Sequence, residues 1–140
     1  MYVDSTSAGI GYAQDRTLGL IVALAACSND ATSPNGSVSG TYSLRTINGS
    51  TLPYDFGSGA VLTSDQLTLR SDGSYVDQAT FSNGATQTEQ GNWSINNNLI
   101  TFDDLTEQTQ YTGSISGSVL TETFSINGNL STLTEVYQRD

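Results

Sequence analysis

The side chains here that could do chemistry are almost all carboxylates. The chain of 140 residues carries 14 Asp and Glu against four arginines, with no lysine, no histidine and one cysteine, Cys27. Without histidine or lysine, Ser-His and Cys-His nucleophile pairs, histidine-ligated zinc and Schiff-base lysines are all excluded. What remains is acids used in pairs. Asp103, Asp104 and Glu107 form the tightest run, and two carboxylates flanking a bond can act as acid and base only if the fold fixes their separation. The same run offers oxygens to calcium but lacks the alternating ligands and turn glycine of a calcium loop. The plainer expectation is a solvated acidic turn, so the sequence reads as non-catalytic, with no metal and no cofactor.

Charge narrows the partners. A formal net charge of −10 argues against nucleic acid, because binding phosphate requires cations that release counterions. It argues equally against an electrostatic hold on anionic lipid. Only 13% of residues are charged, so hydroxyls and amides should make up most of the surface. One cysteine rules out an internal disulfide, and a small domain without a staple must be held by its own core.

The elements that position these residues read as strands. Tyr42 with Leu44, Leu67 with Leu69, Trp93 with Ile95, Tyr111 with Ile115, and Leu120 with Phe124 and Ile126 each alternate with polar neighbours. That period of two marks strands buried on one face and wet on the other. Asn48-Gly49, Asp72-Gly73, Asn83-Gly84, Asn97-Asn98, Ser116-Gly117 and Asn127-Gly128 separate them, each suited to the positive φ of a tight hairpin. The expected runs are 41–48, 51–56, 60–70, 74–82, 85–96, 99–104, 109–116, 118–126 and 130–138, the second doubtful because of Pro53. Hairpins in succession give an all-β, antiparallel up-and-down meander of about eight strands. Such a meander closes into a barrel or splits into a two-sheet sandwich.

On a barrel, Glu122 shares the inward face of Leu120, Phe124 and Ile126. It could bond a ligand, with Arg45 or Arg70 as counter-ion; the plainer expectation is that it lies near a strand end and reaches water. Tyr42, Tyr75, Phe81, Trp93, Phe102, Tyr111 and Phe124 could line a calyx or simply fill the core. The candidate ligand-binding residues are thus Tyr42, Tyr75, Trp93, Phe102, Tyr111, Glu122 and Phe124. Asn-x-Ser occurs at Asn35, Asn48, Asn92 and Asn129, as expected by chance in an Asn- and Ser-rich chain.

The amino-terminal part has a different composition. The apolar run 18–26 is too short to span a bilayer, which takes roughly 20 residues. Residues 1–14 carry Asp4 and no basic residue, unlike the usual start of a secretory leader. Leu24-Ala25-Ala26-Cys27 closes the run, followed by the Ser-, Asn- and Gly-containing stretch 28–39. That arrangement resembles the lipobox of bacterial lipoproteins. The resemblance implies a leader at 1–26 that is removed, acyl chains on Cys27 that hold the protein on a membrane, and Ser28 compatible with outer-membrane sorting. The expected organisation is leader 1–26, lipidated Cys27 and flexible linker through 39, and a β domain over 40–140. The alternative is an uncleaved extended segment, with Leu18, Leu20, Val22 and Leu24 on one face.

A second resemblance covers nearly all of 40–139. Gly40-Thr41-Tyr42-Ser43-Leu44 with Asn48-Gly49-Ser50-Thr51-Leu52-Pro53, then Leu67-Thr68-Leu69-Arg70-Ser71-Asp72-Gly73-Ser74-Tyr75, then Gly91-Asn92-Trp93-Ser94-Ile95 with Ile100-Thr101-Phe102, are similar to the ordered motifs of small bacterial lipocalin-like lipoproteins. This resemblance implies a lipocalin-like barrel and leaves activity open. Two functions follow as expectations. One is an envelope-anchored module, at the outer membrane or cell surface, that binds a small apolar or amphipathic molecule. The other is an extracellular filament subunit, self-associating by strand addition through its amino-terminal segment.

Overall fold

The structure is a computed structural model and describes residues 34–57, 59–126 and 131–140. Cys27, the leader, linker residues 28–33 and the Asn127-Gly128 turn lie outside the described residues. A single helical turn, α1 (Pro34–Val38), precedes ten strands: β1 (Gly40–Ile47), β2 (Ser50–Thr51), β3 (Tyr54–Asp55), β4 (Val61–Leu69), β5 (Ser74–Phe81), β6 (Thr86–Asn96), β7 (Leu99–Asp104), β8 (Thr109–Ser116), β9 (Val119–Ile126) and β10 (Ser131–Arg139). Consecutive strands from β4 to β10 pair antiparallel, and β1 pairs with both β10 and β4. That double pairing closes eight strands into an up-and-down barrel. The sandwich alternative is thereby removed.

The doubtful run at 51–56 is two two-residue strands on either side of Leu52-Pro53, because proline cannot donate to a ladder. Gly73 and Gly84 take φ values of 86° and 81° in their hairpins, where a Cβ would be strained. The register of β1 shifts between Leu44 and Thr46. This bulge turns Arg45 outward and returns Ile47 to the fully buried face.

The stretch read as flexible linker through 39 is corrected from Pro34 onward, where α1 lies against the barrel. Tyr42 Oη donates to the Val38 carbonyl at 2.6 Å, and the Arg139 guanidinium donates to the carbonyls of Ser37 and Ser39. Backbone carbonyls at this helix end thus find side-chain donors, which explains why the segment is ordered there. Val38 packs on the core. Around it, Tyr42, Leu67, Leu69, Ile100 and Leu120 are fully buried or nearly so, and the Trp93 indole donates to the Arg70 carbonyl at 3.0 Å. The interior toward α1 is packed by these side chains, with a polar groove of about 580 Å³ left at the rim between α1 and the β6–β7 turn.

Two strand glycines let the interior fit. A Cβ on Gly91 would collide with the Asp103 carbonyl oxygen and come within 2.9 Å of the Tyr75 ring. On Gly113 it would stand 2.8 Å from the Thr121 carbonyl oxygen and 3.1 Å from Glu122 Cγ. With no Cβ at Gly91, Tyr75 reaches across β6 to meet Phe102 edge-on, at 5.2 Å between centroids. Gly91→Ala should therefore cost at least about 3 kcal/mol in denaturant unfolding, as overpacking against backbone does. Gly36→Ala, where nothing lies within 4 Å of the added Cβ, should stay within about 1 kcal/mol of the parent. Equal effects at the two sites would contradict this account.

Candidate functional site: an acidic cavity in the open end of the barrel

At the end opposite α1 the barrel interior is not filled. A cavity of about 620 Å³ opens between the start of β4, β6, β8 and β10 and the end of β5, β7 and β9. Its apolar wall is Phe56, Leu62, Ala79, Phe81, Tyr111 and Phe124. Seven carboxylates, Asp65, Asp77, Glu89, Asp104, Glu107, Glu122 and Glu135, line the rest together with uncharged polar residues such as Gln87, Gln110, Thr112 and Thr123. These seven acids are half of the 14 in the chain, so the carboxyl groups are gathered at this cavity. The outward positions of β6, by contrast, are Thr86, Thr88, Gln90, Asn92 and Ser94, all exposed.

Strand alternation puts the acids there. Asp65 shares a face with Leu67 and Leu69, Asp77 with Tyr75, Glu89 with Gly91 and Trp93, and Glu135 with Leu133 and Tyr137. Two register pairs set acid opposite acid: Asp77 against Glu89, and Glu122 against Glu135. Like charges directly opposite destabilise a ladder, but the main reason these groups hold protons more tightly than usual is burial. Burial drives Glu122 well above the carboxylate range, reinforced by the charges of Glu135, Asp65 and Glu89. Burial also raises Asp77 and Asp65, which share a hydrogen bond. Glu89 is raised by burial and then by Asp104 and Glu107. Glu135 is pushed up to about 7 by burial and the Asp65 charge, against the opposing effect of the 3.0 Å bond from Tyr137 Oη.

The expectation that Glu122 lies near a strand end in water is corrected. It is in the middle of β9, 3% exposed. Neither proposed counter-ion reaches it: Arg45 pairs with Asp140 at 3.6 Å and Arg70 bonds Ser74 Oγ at 3.4 Å. The acidic run is also not a solvated turn throughout. Asp103 and Asp104 point to opposite faces of β7, as neighbours in a strand must. Asp103 accepts a bond from the Gln110 amide at 2.9 Å, whereas Asp104 is buried and caps the next turn by accepting the Thr106 and Glu107 N–H groups at 2.7 and 3.1 Å. They cannot act as a pair on one bond. Among the described residues no three of Asp, Glu, His and Cys come together to hold a metal ion.

Of the candidate ligand-binding residues, Tyr111, Glu122 and Phe124 line the cavity. Tyr42 and Trp93 are buried in the packed end, while Tyr75 and Phe102 form the layer beneath the cavity. That layer continues into the wall, because Phe102 stacks on Tyr111 at 4.9 Å and Tyr111 meets Phe124 edge-on at 5.9 Å. Asp65, Asp77, Glu89 and Glu135 were missed, although their alternation with Leu67, Tyr75, Trp93 and Tyr137 was readable.

No protein-family model and no curated protein matches the chain. Among solved structures it is similar to a lipocalin-like protein from Bacteroides uniformis ATCC 8492, at 18% identity over 75% of this chain and 100% of that one, with a TM-score of 0.49. The barrel itself rests on its own strand pairing. Among the described residues no helix is long and apolar enough to cross a membrane.

Acids whose folded pKa is raised favour folding at low pH, and that advantage is lost as pH rises through the folded value. For Glu135 the window runs from its ordinary 4.5 up to about 7, worth roughly 3 kcal/mol. The thermal midpoint should therefore be higher at pH 5 than at pH 8, and Glu135→Gln should flatten that slope by about the same energy. Calorimetry showing a midpoint that climbs from pH 5 to pH 8 would refute the assignment.

Proposed function

We propose that the protein is a non-catalytic binding module that takes a small apolar or amphipathic molecule into the open end of its barrel. The observation that carries this reading is the cavity of about 620 Å³, within the size range of small-molecule sites. An eight-stranded barrel is wide enough for side chains or one small ligand, and here the side chains fill only the α1 end. The polar outer face of β6 fits a domain surrounded by water, since a membrane barrel carries its apolar band outward. The lipobox-like Leu24-Ala25-Ala26-Cys27 supports acyl anchoring of this domain to the bacterial envelope, at the outer membrane or cell surface, through the regime of lipid attachment and not of spanning.

The filament reading has one observation in its favour. Among the described residues, β8 pairs with β9 only from Gly113↔Glu122 to Ser116↔Val119, so the edges beyond could accept a strand. Closure by β1 works against it elsewhere, because it pairs both sides of the sheet.

Two measurements test these readings. The neutral apolar dye N-phenyl-1-naphthylamine should brighten on binding the parent protein. Ala79→Trp, which places an indole inside the cavity wall, should fold but weaken uptake at least about tenfold. No dye uptake, together with no small molecule retained in native mass spectrometry, would remove the binding function. Intact mass of protein from its native source should show residues 1–26 gone and acyl chains on Cys27; an intact amino-terminal segment with a free thiol would favour the filament subunit instead.

A further inference from the structure

An apolar ligand alone does not account for this cavity. Seven carboxylates line it, two pairs of them directly opposed, and none of Arg45, Arg70 and Arg139 is among its lining residues. Arg139 is committed to the carbonyls beside α1, at the far end of the barrel. Acids kept only for structure would have their oxygens satisfied, as Asp104 has. Glu122 does not, and Asp65, although bonded to Asp77 and the Gln66 backbone, keeps one oxygen open. They are 3% and 8% exposed, both line the cavity, and Glu122 Oε1 and Asp65 Oδ1 have no hydrogen-bond partner among the described residues. Asp77 Oδ1, also on the cavity wall, is likewise unpartnered. A buried acceptor without a donor costs stability, so these oxygens are aimed at something that brings donors.

A metal ion is a poor match, because among the described residues no three of these acids come close enough together to hold one. The unpaired acceptors are spread along a cavity that also carries an aromatic wall. We infer that the cavity is built for an organic cation, a primary ammonium group carried on an apolar or aromatic body. The inference deepens the binding function proposed above and rests on it. The ammonium N–H groups donate to the unpaired oxygens of Glu122 and Asp65. The body lies against the aromatic wall of Phe81, Tyr111 and Phe124. Before the cation enters, the opposed acids hold protons; when it binds, the carboxyl that receives it releases its proton to bulk water, and the positive charge stays inside. An anionic ligand of the same shape meets like charge with no compensating cation.

The test uses displacement of N-phenyl-1-naphthylamine at neutral pH by three matched probes: 4-phenylbutylammonium, 4-phenylbutan-1-ol and 4-phenylbutanoate. The ammonium should displace the dye at least about tenfold more tightly than the alcohol, and the carboxylate should be weakest. In the double variant Glu122→Gln, Asp65→Asn, that preference should shrink to within about threefold, chiefly through weaker binding of the ammonium, with a higher thermal midpoint at neutral pH, since two unfavourable buried acids are gone. A merely structural role for these acids would lower the midpoint and leave the ranking of probes intact, which would overturn the inference. If alcohol or carboxylate displaces the dye as well as the ammonium does, the cation assignment fails while the binding function stands. If neither dye nor any probe is taken up, both fall.

Discussion

The pairing of β1 with β4 on one side and β10 on the other is the constraint on which this structure depends. Once the sheet meets itself, every second residue of eight strands is committed to one shared interior. The only freedom left is local: the bulge at Arg45 that resets the face of β1, and the missing side chains at Gly91 and Gly113 that let Tyr75, Ile100 and Glu122 occupy space another Cβ would take. Closure also makes the interior unforgiving. A charged residue placed on the inward phase of a strand has no route to bulk solvent except through an open end.

The interior is divided by that fact. Toward α1 it is packed with Tyr42, Leu67, Leu69, Trp93 and Leu120, and sealed by the helical turn that Tyr42 and Arg139 hold in place. Toward the other end, aliphatic residues give way to acids around an aromatic wall. The two halves oppose each other energetically. The packed half stabilises the fold by removing apolar surface from water, while the acidic half destabilises it by holding opposed carboxyl groups in a poorly solvated space. Fold stability alone gives no reason to keep Glu122 across from Glu135 or Asp77 across from Glu89. Recognition does, because groups left unsatisfied inside a site are what a ligand satisfies.

Much of the scaffold was readable in advance. Alternation in runs such as Gln66-Leu67-Thr68-Leu69 and Asn92-Trp93-Ser94-Ile95, with Asn-Gly and Asp-Gly between runs, specifies strands and hairpins by local geometry alone. The site was less readable for two reasons. Asp65, Asp77, Glu89 and Glu135 give no local sign of burial, since ionised groups are seldom buried without partners, even though their phase places them with buried neighbours. Aromatic residues gave the opposite difficulty: Tyr42, Tyr75, Trp93, Phe102, Tyr111 and Phe124 share the inward phase, and nothing local says how far along the barrel each one sits. Glu122 was expected to reach water because ionised groups are seldom buried without partners, although the run 118–126 already put it in mid-strand.

The amino-acid sequence by itself determined which residues face in and which face out along the regular strands, because side chains alternate whatever a strand packs against; at the bulges of β1 and β4 pairing reset that phase. It also determined what chemistry is unavailable, since a chain without histidine or lysine cannot acquire either by folding. Only the tertiary structure decided depth. Whether an inward residue belongs to the sealed end or to the cavity depends on the stagger between strands distant in sequence, such as β4 against β1 and β9 against β10. Register of that kind is set by closure of the whole barrel, and it is what brings acids from six separate strands and the turn after β7 to a single cavity.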